Sequence, residues 1–222
     1  MGRRRSKSSG SILRLALLIL ILTSLYFLYH EVWQEQPAEP RITGLRAVEI
    51  IDGDTFVDSD GEQIRLLGID TPEAGEVFYM AASRALDSLL EGKTIRYEFD
   101  SRKRDRYERL LVYVFTGQDF VNQAMVRSGL ASVYIFPKDM KNDYYRAALI
   151  EAQDYARSNN LGIWALEPPD PESFYVGNKK TYRFHRPTCF SVERLDQSAK
   201  IIRQSRDDFL DLGYSPCRNC NP

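Results

Sequence analysis

The chain has almost no excess charge, few cysteines and a single long apolar run, and each shortage narrows what it is. With 30 basic against 31 acidic residues and a formal net charge of -1, no global positive field draws a polyanion to the surface, so any such partner must be met locally. Three cysteines are too few for a disulfide framework, and one is left over if the other two bridge. All three lie after residue 188, a placement that invites a metal reading. A composition of 43% hydrophobic and 27% charged residues excludes wholesale disorder and a polytopic membrane protein. At 222 residues there is room for one ordinary domain and a smaller module.

The apolar run is at the amino terminus. A basic tail over residues 1–11 carries Arg3, Arg4, Arg5 and Lys7, and from Ile12 to Tyr29 only Arg14, Thr23 and Ser24 interrupt the apolar character. Roughly 20 apolar residues suffice to cross a bilayer as a helix, so residues 12–30 are expected to form a transmembrane signal anchor. Arg14 can snorkel to one headgroup layer, and Tyr26, Tyr29 and Trp33 suit the other. Positive residues before the span place the remainder outside the cytoplasm, on a single-pass protein of the cell membrane. Secretion after signal cleavage is the alternative, though no small-x-small site follows the run. The Met1-Gly2 to Ser6 myristoylation pattern and the twin-arginine-like cluster read as accidents of a basic leader. Residues 31–41, with QEQPAEP at their centre, form a spacer.

From residue 42 to 166 the pattern becomes β-branched and aromatic: LRAVEIIDGDTFVDS, EQIRLLGID, TIRYEFD and RLLVYVF read as strands bounded by DGD and SDG turns. Helices are expected over Gly75 to Leu90, with Val77, Phe78, Ala81, Ala85, Leu86, Leu89 and Leu90 on one face, and over Phe120 to Ser128, stopped by Gly129. Asn142 caps a third helix that packs through Tyr145, Ala148, Leu149, Ala152, Tyr155 and Ala156. This is an α+β unit.

Its chemistry lies at strand ends. Asp54 in IIDGDT and Asp70 in RLLGIDTPE could chelate a hard divalent cation, calcium being the natural candidate, with Thr71 and Glu73 beside them. Alone, DGD is a tight turn whose aspartates bond their own backbone. Arg65 and Arg109 change its meaning, because guanidinium forks grip phosphate oxygens in a bidentate way that lysine cannot.

DGDT, RLLGIDTPE, the DxYxR element, the VxxGLA helix exit and NLGIW together resemble the staphylococcal nuclease (thermonuclease) family from about Leu45 to Trp164. The resemblance implies a five-stranded OB-type barrel with three helices, and calcium-dependent cleavage of DNA and/or RNA that leaves 3′-phosphate ends. By that resemblance Asp54 and Asp70 are carboxylate metal ligands and Thr71 a ligand through its carbonyl. Glu73 is the general base, Arg65 and Arg109 bind phosphate, Tyr107 lies near the nucleotide phosphate and Tyr134 offers a face to a base. For both tyrosines, simple strand packing is the plainer reading. One departure is that Glu108 stands where the family has glycine before the second arginine. A positive φ there would strain glutamate, whose charge could pair with Arg109 or repel substrate.

Residues 167–174 form a proline-rich linker to a module over 175–222. There His185, Cys189, Cys217 and Cys220 are spaced as H-x₃-C and C-x₂-C, which suits structural zinc. A Cys217 to Cys220 disulfide is the alternative and leaves His185 unexplained. The module resembles the small zinc module of the bacterial methylphosphotriester DNA-repair protein, with histidine replacing one cysteine. Arg183, Arg186, Arg194, Arg203, Arg206 and Arg218 could contact phosphates or form a solvated basic face. The expected chain is a membrane-anchored bacterial nuclease with DNA or RNA as its partner, and no protein partner. The alternatives are a nucleic-acid-binding protein with impaired turnover and a membrane scaffold, for which nothing in the sequence asks.

Overall fold

The computed structural model describes residues 16–24, 26, 42–167 and 170–222, divided between a unit of residues 1–39 and one of residues 40–222. In the first unit, residues 16–24 form helix α1. Among the described residues no helix is long and apolar enough to cross a membrane. About half of the expected span at 12–30, the basic tail and the whole 31–41 spacer lie outside the described residues.

In the second unit the strands are β1 (Ile42–Leu45), β2 (Ala47–Ile50), β3 (Thr55–Asp58), β4 (Gln63–Leu66), β5 (Ile69–Asp70), β6 (Ile95–Arg104), β7 (Leu110–Thr116), β8 (Asp119–Phe120) and β9 (Ser132–Val133). The main sheet runs β1-β6-β7-β4-β3-β2, with β8 beside β7; β4 and β7 pair in parallel and the other neighbours antiparallel. β1 and β2 are halves of one run parted at Arg46, with register shifts on both sides. One run therefore supplies both ends of the sheet, which curls into an OB-like half-barrel. The inward-facing Phe56, Ile64, Leu66, Tyr97 and Val112 are wholly buried.

Three helices close the core: α2 (Tyr79–Leu90), α3 (Val121–Arg127) and α4 (Asp143–Ser158). The first is shorter than the periodicity implies. Phe78 has φ +71°, a left-handed conformation that cannot continue into a helix, so α2 starts at Tyr79 and Val77 is 61% exposed. Its buried stripe is Ala82, Leu86 and Leu90, and each buried leucine contributes about 2 kcal/mol. Asn142 caps α4 as expected, accepting from the amides of Tyr144 and Tyr145. Leu149, Ala152, Gln153 and Ala156 are buried, whereas Tyr155 lies outside with Arg127 stacked on its ring. Asn122 on α3 bonds Leu67 O and the amide of Val114, tying that helix to the sheet.

Two glycines explain the VxxGLA and NLGIW motifs. Gly129 (φ +73°) and Gly162 (φ +52°) bring two backbones together, with Ile163 N donating to Gly129 O at 2.8 Å. A Cβ on Gly129 would lie 2.1 Å from Leu161 O, and one on Gly162 would lie 2.1 Å from Gly129 O.

The carboxy-terminal module has a second sheet of order β12-β10-β11-β13, made of β10 (Tyr175–Asn178), β11 (Arg183–His185), β12 (Lys200–Arg203) and β13 (Ser215–Pro216). Two short helices, α5 (Phe190–Glu193) and α6 (Arg206–Leu210), flank it. Its small core holds Tyr175, Phe184, Phe209, Leu210 and Tyr214. Ser215 Oγ donates to Val133 O at 2.8 Å, and Arg157 on α4 pairs with Asp207 and Asp211, both at 2.6 Å, so the module is docked on the barrel.

Candidate active site and metal centre

Asp54 precedes β3 and Asp70 ends β5, and the DGD turn that carries Asp54 is packed against α2. A Cβ on Gly53 would meet Ala82 Cβ at 2.5 Å, so this close approach requires the glycine of DGD. The two aspartates of that motif divide the work. Asp52 makes the turn, its Oδ1 accepting from Asp54 N at 2.9 Å. Asp54 instead turns into a cavity, where its Oδ2 accepts from Thr71 N and Thr71 Oγ1, both at 3.1 Å.

That cavity, about 640 Å³, is lined by Asp54, Arg65, Asp70, Thr71, Glu73, Tyr107, Arg109 and Tyr134, so every residue expected at the nuclease centre shares one space. Arg65 Nη2 lies 3.0 Å from Asp54 Oδ2 and 3.3 Å from Asp70 Oδ1. Arg109 is held by Asp105, with Nε at 2.8 Å and Nη2 at 2.7 Å from Asp105 Oδ2, and its Nη1 is 3.4 Å from Thr55 Oγ1. Tyr107 is exposed, with the Arg109 guanidinium 5.5 Å from its ring centre. The Tyr134 ring is covered at 4.0 Å by Arg183 from the carboxy-terminal module.

Burial, with the neighbouring Asp54 charge, raises the Asp52 carboxyl above its usual range. Burial likewise raises Asp70, against the pull of Arg65 and Arg218. Crowded carboxylates of this kind favour an added positive charge. The donors are all hard oxygens, two carboxylates and the Thr71 carbonyl, and that set fits a divalent cation such as calcium.

Residues 63–166 match the family described as staphylococcal nuclease homologue. The thermonuclease of Staphylococcus intermedius is 32% identical over 167 residues, covering 71% of this chain and 98% of that protein. The chain belongs to the staphylococcal nuclease family. The thermonuclease of Staphylococcus hyicus is also 32% identical, over 54% of this chain and 75% of that protein. An uncharacterized endonuclease of Escherichia coli O157:H7 is 36% identical, over 57% and 80%. This nuclease-family hydrolase departs from the family pattern at Glu108, whose φ is +66°. Its carbonyl accepts from Arg104 at 2.6 Å, while Arg109 pairs with Asp105.

Beyond the matched residues lies a second cluster. The ligand atoms of His185, Cys189, Cys217 and Cys220 all fall within 4.8 Å of one another, with His185 Nδ1 3.5 Å from Cys189 Sγ. Zn–N and Zn–S bonds of about 2.0 and 2.3 Å give tetrahedral edges of roughly 3.5 to 3.8 Å, so the donor set fits zinc. Burial and the neighbouring sulfurs push the Cys220 thiol up to about 12, while His185 is lowered by burial and by Arg183.

Asp52, Asp105, Arg102 and Arg106 also line the cavity and were missed in the sequence. For Asp105 a signal existed: it opens the DxYxR element that was read for its tyrosine and arginine. The six arginines of the carboxy-terminal module do not act as one basic face. Arg183 and Arg218 enter the nuclease cavity, Arg186 pairs with Glu172, and Arg194 lies on the Phe190 ring.

Proposed function

We propose that this chain is a calcium-dependent nuclease that hydrolyses phosphodiester bonds of DNA and/or RNA outside the cytoplasm, leaving 3′-phosphate ends. The observation that carries it is the convergence of Asp54, Arg65, Asp70, Thr71, Glu73 and Arg109 on one cavity. The names of the thermonuclease relatives support the reaction class. The basic leader and the apolar run from Ile12 to Tyr29 support the location.

Asp54, Asp70 and the Thr71 carbonyl would hold calcium, which when bound supplies charge for the phosphate and a place for water. Arg65 and Arg109 present guanidinium N–H groups to phosphate oxygens that gain charge on the way to a five-coordinate phosphorus. Glu73, at the cavity rim, orients or deprotonates the attacking water. Arg109 also stands where it can assist the departing oxygen, and Asp105 fixes its fork. Tyr134, with one face covered by Arg183, offers a base at most its other face, and such stacking accepts every base, so sequence preference is mild. His185, Cys189, Cys217 and Cys220 would hold structural zinc.

Glu108 in a left-handed conformation favours a second reading, a nucleic-acid-binding protein with impaired turnover. Plasmid DNA and RNA incubated with the protein and Ca²⁺, then with chelator, separate the two. Cleavage that chelator stops and that Arg109→Ala lowers by about 10²- to 10³-fold is the expected result. Binding without cleavage selects the second reading, and neither binding nor cleavage rejects both.

A further inference from the structure

Arg218 sits inside the C-x₂-C pair, between Cys217 and Cys220, yet its guanidinium reaches the nuclease centre. Nη2 lies 2.8 Å from Asp70 Oδ2 and donates to the Thr71 carbonyl at 3.3 Å, while Nη1 contacts Glu73 Oε1. These are the oxygens assigned above to the cation and the attacking water. One side chain from the carboxy-terminal module thus lies on all three.

The loop that carries it is fixed on both sides. Cys217 N donates to Phe184 O at 2.9 Å, and Asn221 N donates to Cys217 O at 2.9 Å. Arg186 N donates to Cys220 Sγ at 3.4 Å, and the neighbouring Arg183 Nη1 donates to Pro216 O at 3.0 Å. A surface arginine on a free loop gains little from ion pairs, because fixing its side chain offsets the attraction. Here the backbone is already fixed and the fork has two carboxylates in reach.

We propose that Arg218 is a positioning residue of the nuclease centre, supplied by the carboxy-terminal module, which contends with the divalent cation for Asp70 and the Thr71 carbonyl and so sets the cation affinity of the centre. The inference rests on the nuclease reading given above. Arg65 and Arg218 between them pair with Asp54, Asp70 and Glu73, setting two positive charges against three negative ones. Because the Arg218 fork occupies Asp70 Oδ2 and the Thr71 carbonyl, it must withdraw before those oxygens can serve as ligands. Removing it leaves the donors in place and deletes both the competing bonds and the like-charge repulsion. Both effects act in the same direction.

The test is calorimetric titration of the full-length, zinc-loaded chain in mild detergent with Ca²⁺, comparing the parent with Arg218→Ala, Arg218→Lys and Asp54→Ala. Arg218→Ala should lower the Ca²⁺ Kd about five- to tenfold, the scale of a partly exposed charged pair. Arg218→Lys keeps the charge without the fork and should fall between parent and alanine variant. Zinc content and circular dichroism of each variant report whether the fold is intact. If Asp54→Ala abolishes Ca²⁺ binding while Arg218→Ala leaves it unchanged or weaker, the inference fails and the nuclease reading stands. If Asp54→Ala leaves Ca²⁺ binding unchanged, the reading of the centre is overturned and this inference with it.

Discussion

Asp105 accepts two bonds from the side chain of Arg109 and further bonds from the amides of Tyr107 and Arg109. Burial alone would raise its carboxyl, but these bonds hold it below the ordinary value. Because the folded pKa is depressed, the stabilisation is complete above the unfolded aspartate value near 3.9 and is lost as pH falls through the folded pKa. Asp105→Asn should therefore be less stable than the parent at pH 7, a difference that shrinks below about pH 4 in denaturant titrations across pH. The same variant leaves the Arg109 fork unfixed and should lower kcat roughly 10- to 100-fold. At Glu108, substitution by glycine removes left-handed strain, less the entropy glycine loses on folding, for a gain of about 0.5 to 1 kcal/mol in thermal or denaturant unfolding. That Asp54, Arg65, Asp70, Thr71, Glu73 and Arg109 share one cavity was legible because their residue types and order carry the chemistry. Asp105 was not, because its part depends on which atoms of Arg109 it faces.

Element boundaries follow local chemistry where that chemistry is in the side chain. The Asn142 cap and the Gly129 stop stand where the sequence puts them, since an amide-accepting side chain and a missing Cβ act at their own positions. The start of α2 does not, because successive turns over residues 74–78, closed by Glu76 N to Glu73 O and Tyr79 N to Glu76 O, leave Phe78 left-handed, and nothing in phenylalanine itself dictates it. In the carboxy-terminal module, fewer than 50 residues enclose a core of only a few aromatic side chains. Metal bonds would supply much of its folding energy. Stripping zinc with a chelator should therefore open amides across residues 175–222 to hydrogen exchange while the half-barrel stays protected. Unchanged exchange in the module would remove zinc from its structure.

Across the whole second unit, apolar and β-branched runs made the strands legible, whereas the barrel was legible only through the resemblance to the nuclease family. The docking of the module was not legible. Arg218 meets Glu73 across 145 residues of chain, and Ser215 meets Val133 across 82, with no periodicity linking them. The crossing of Gly129 and Gly162 ties the exit of α3 to the end of the matched family region, and here the obstructing atoms are main chain. Alanine at either position should cost about 3 to 5 kcal/mol in denaturant unfolding, combining overpacking with left-handed strain. Most damaging core substitutions can be rescued by trimming a neighbour, but a carbonyl cannot be trimmed. In a selection for folded variants both sites should return glycine alone, with no suppressor elsewhere, whereas Leu86 and Leu90 should tolerate exchange for other apolar residues.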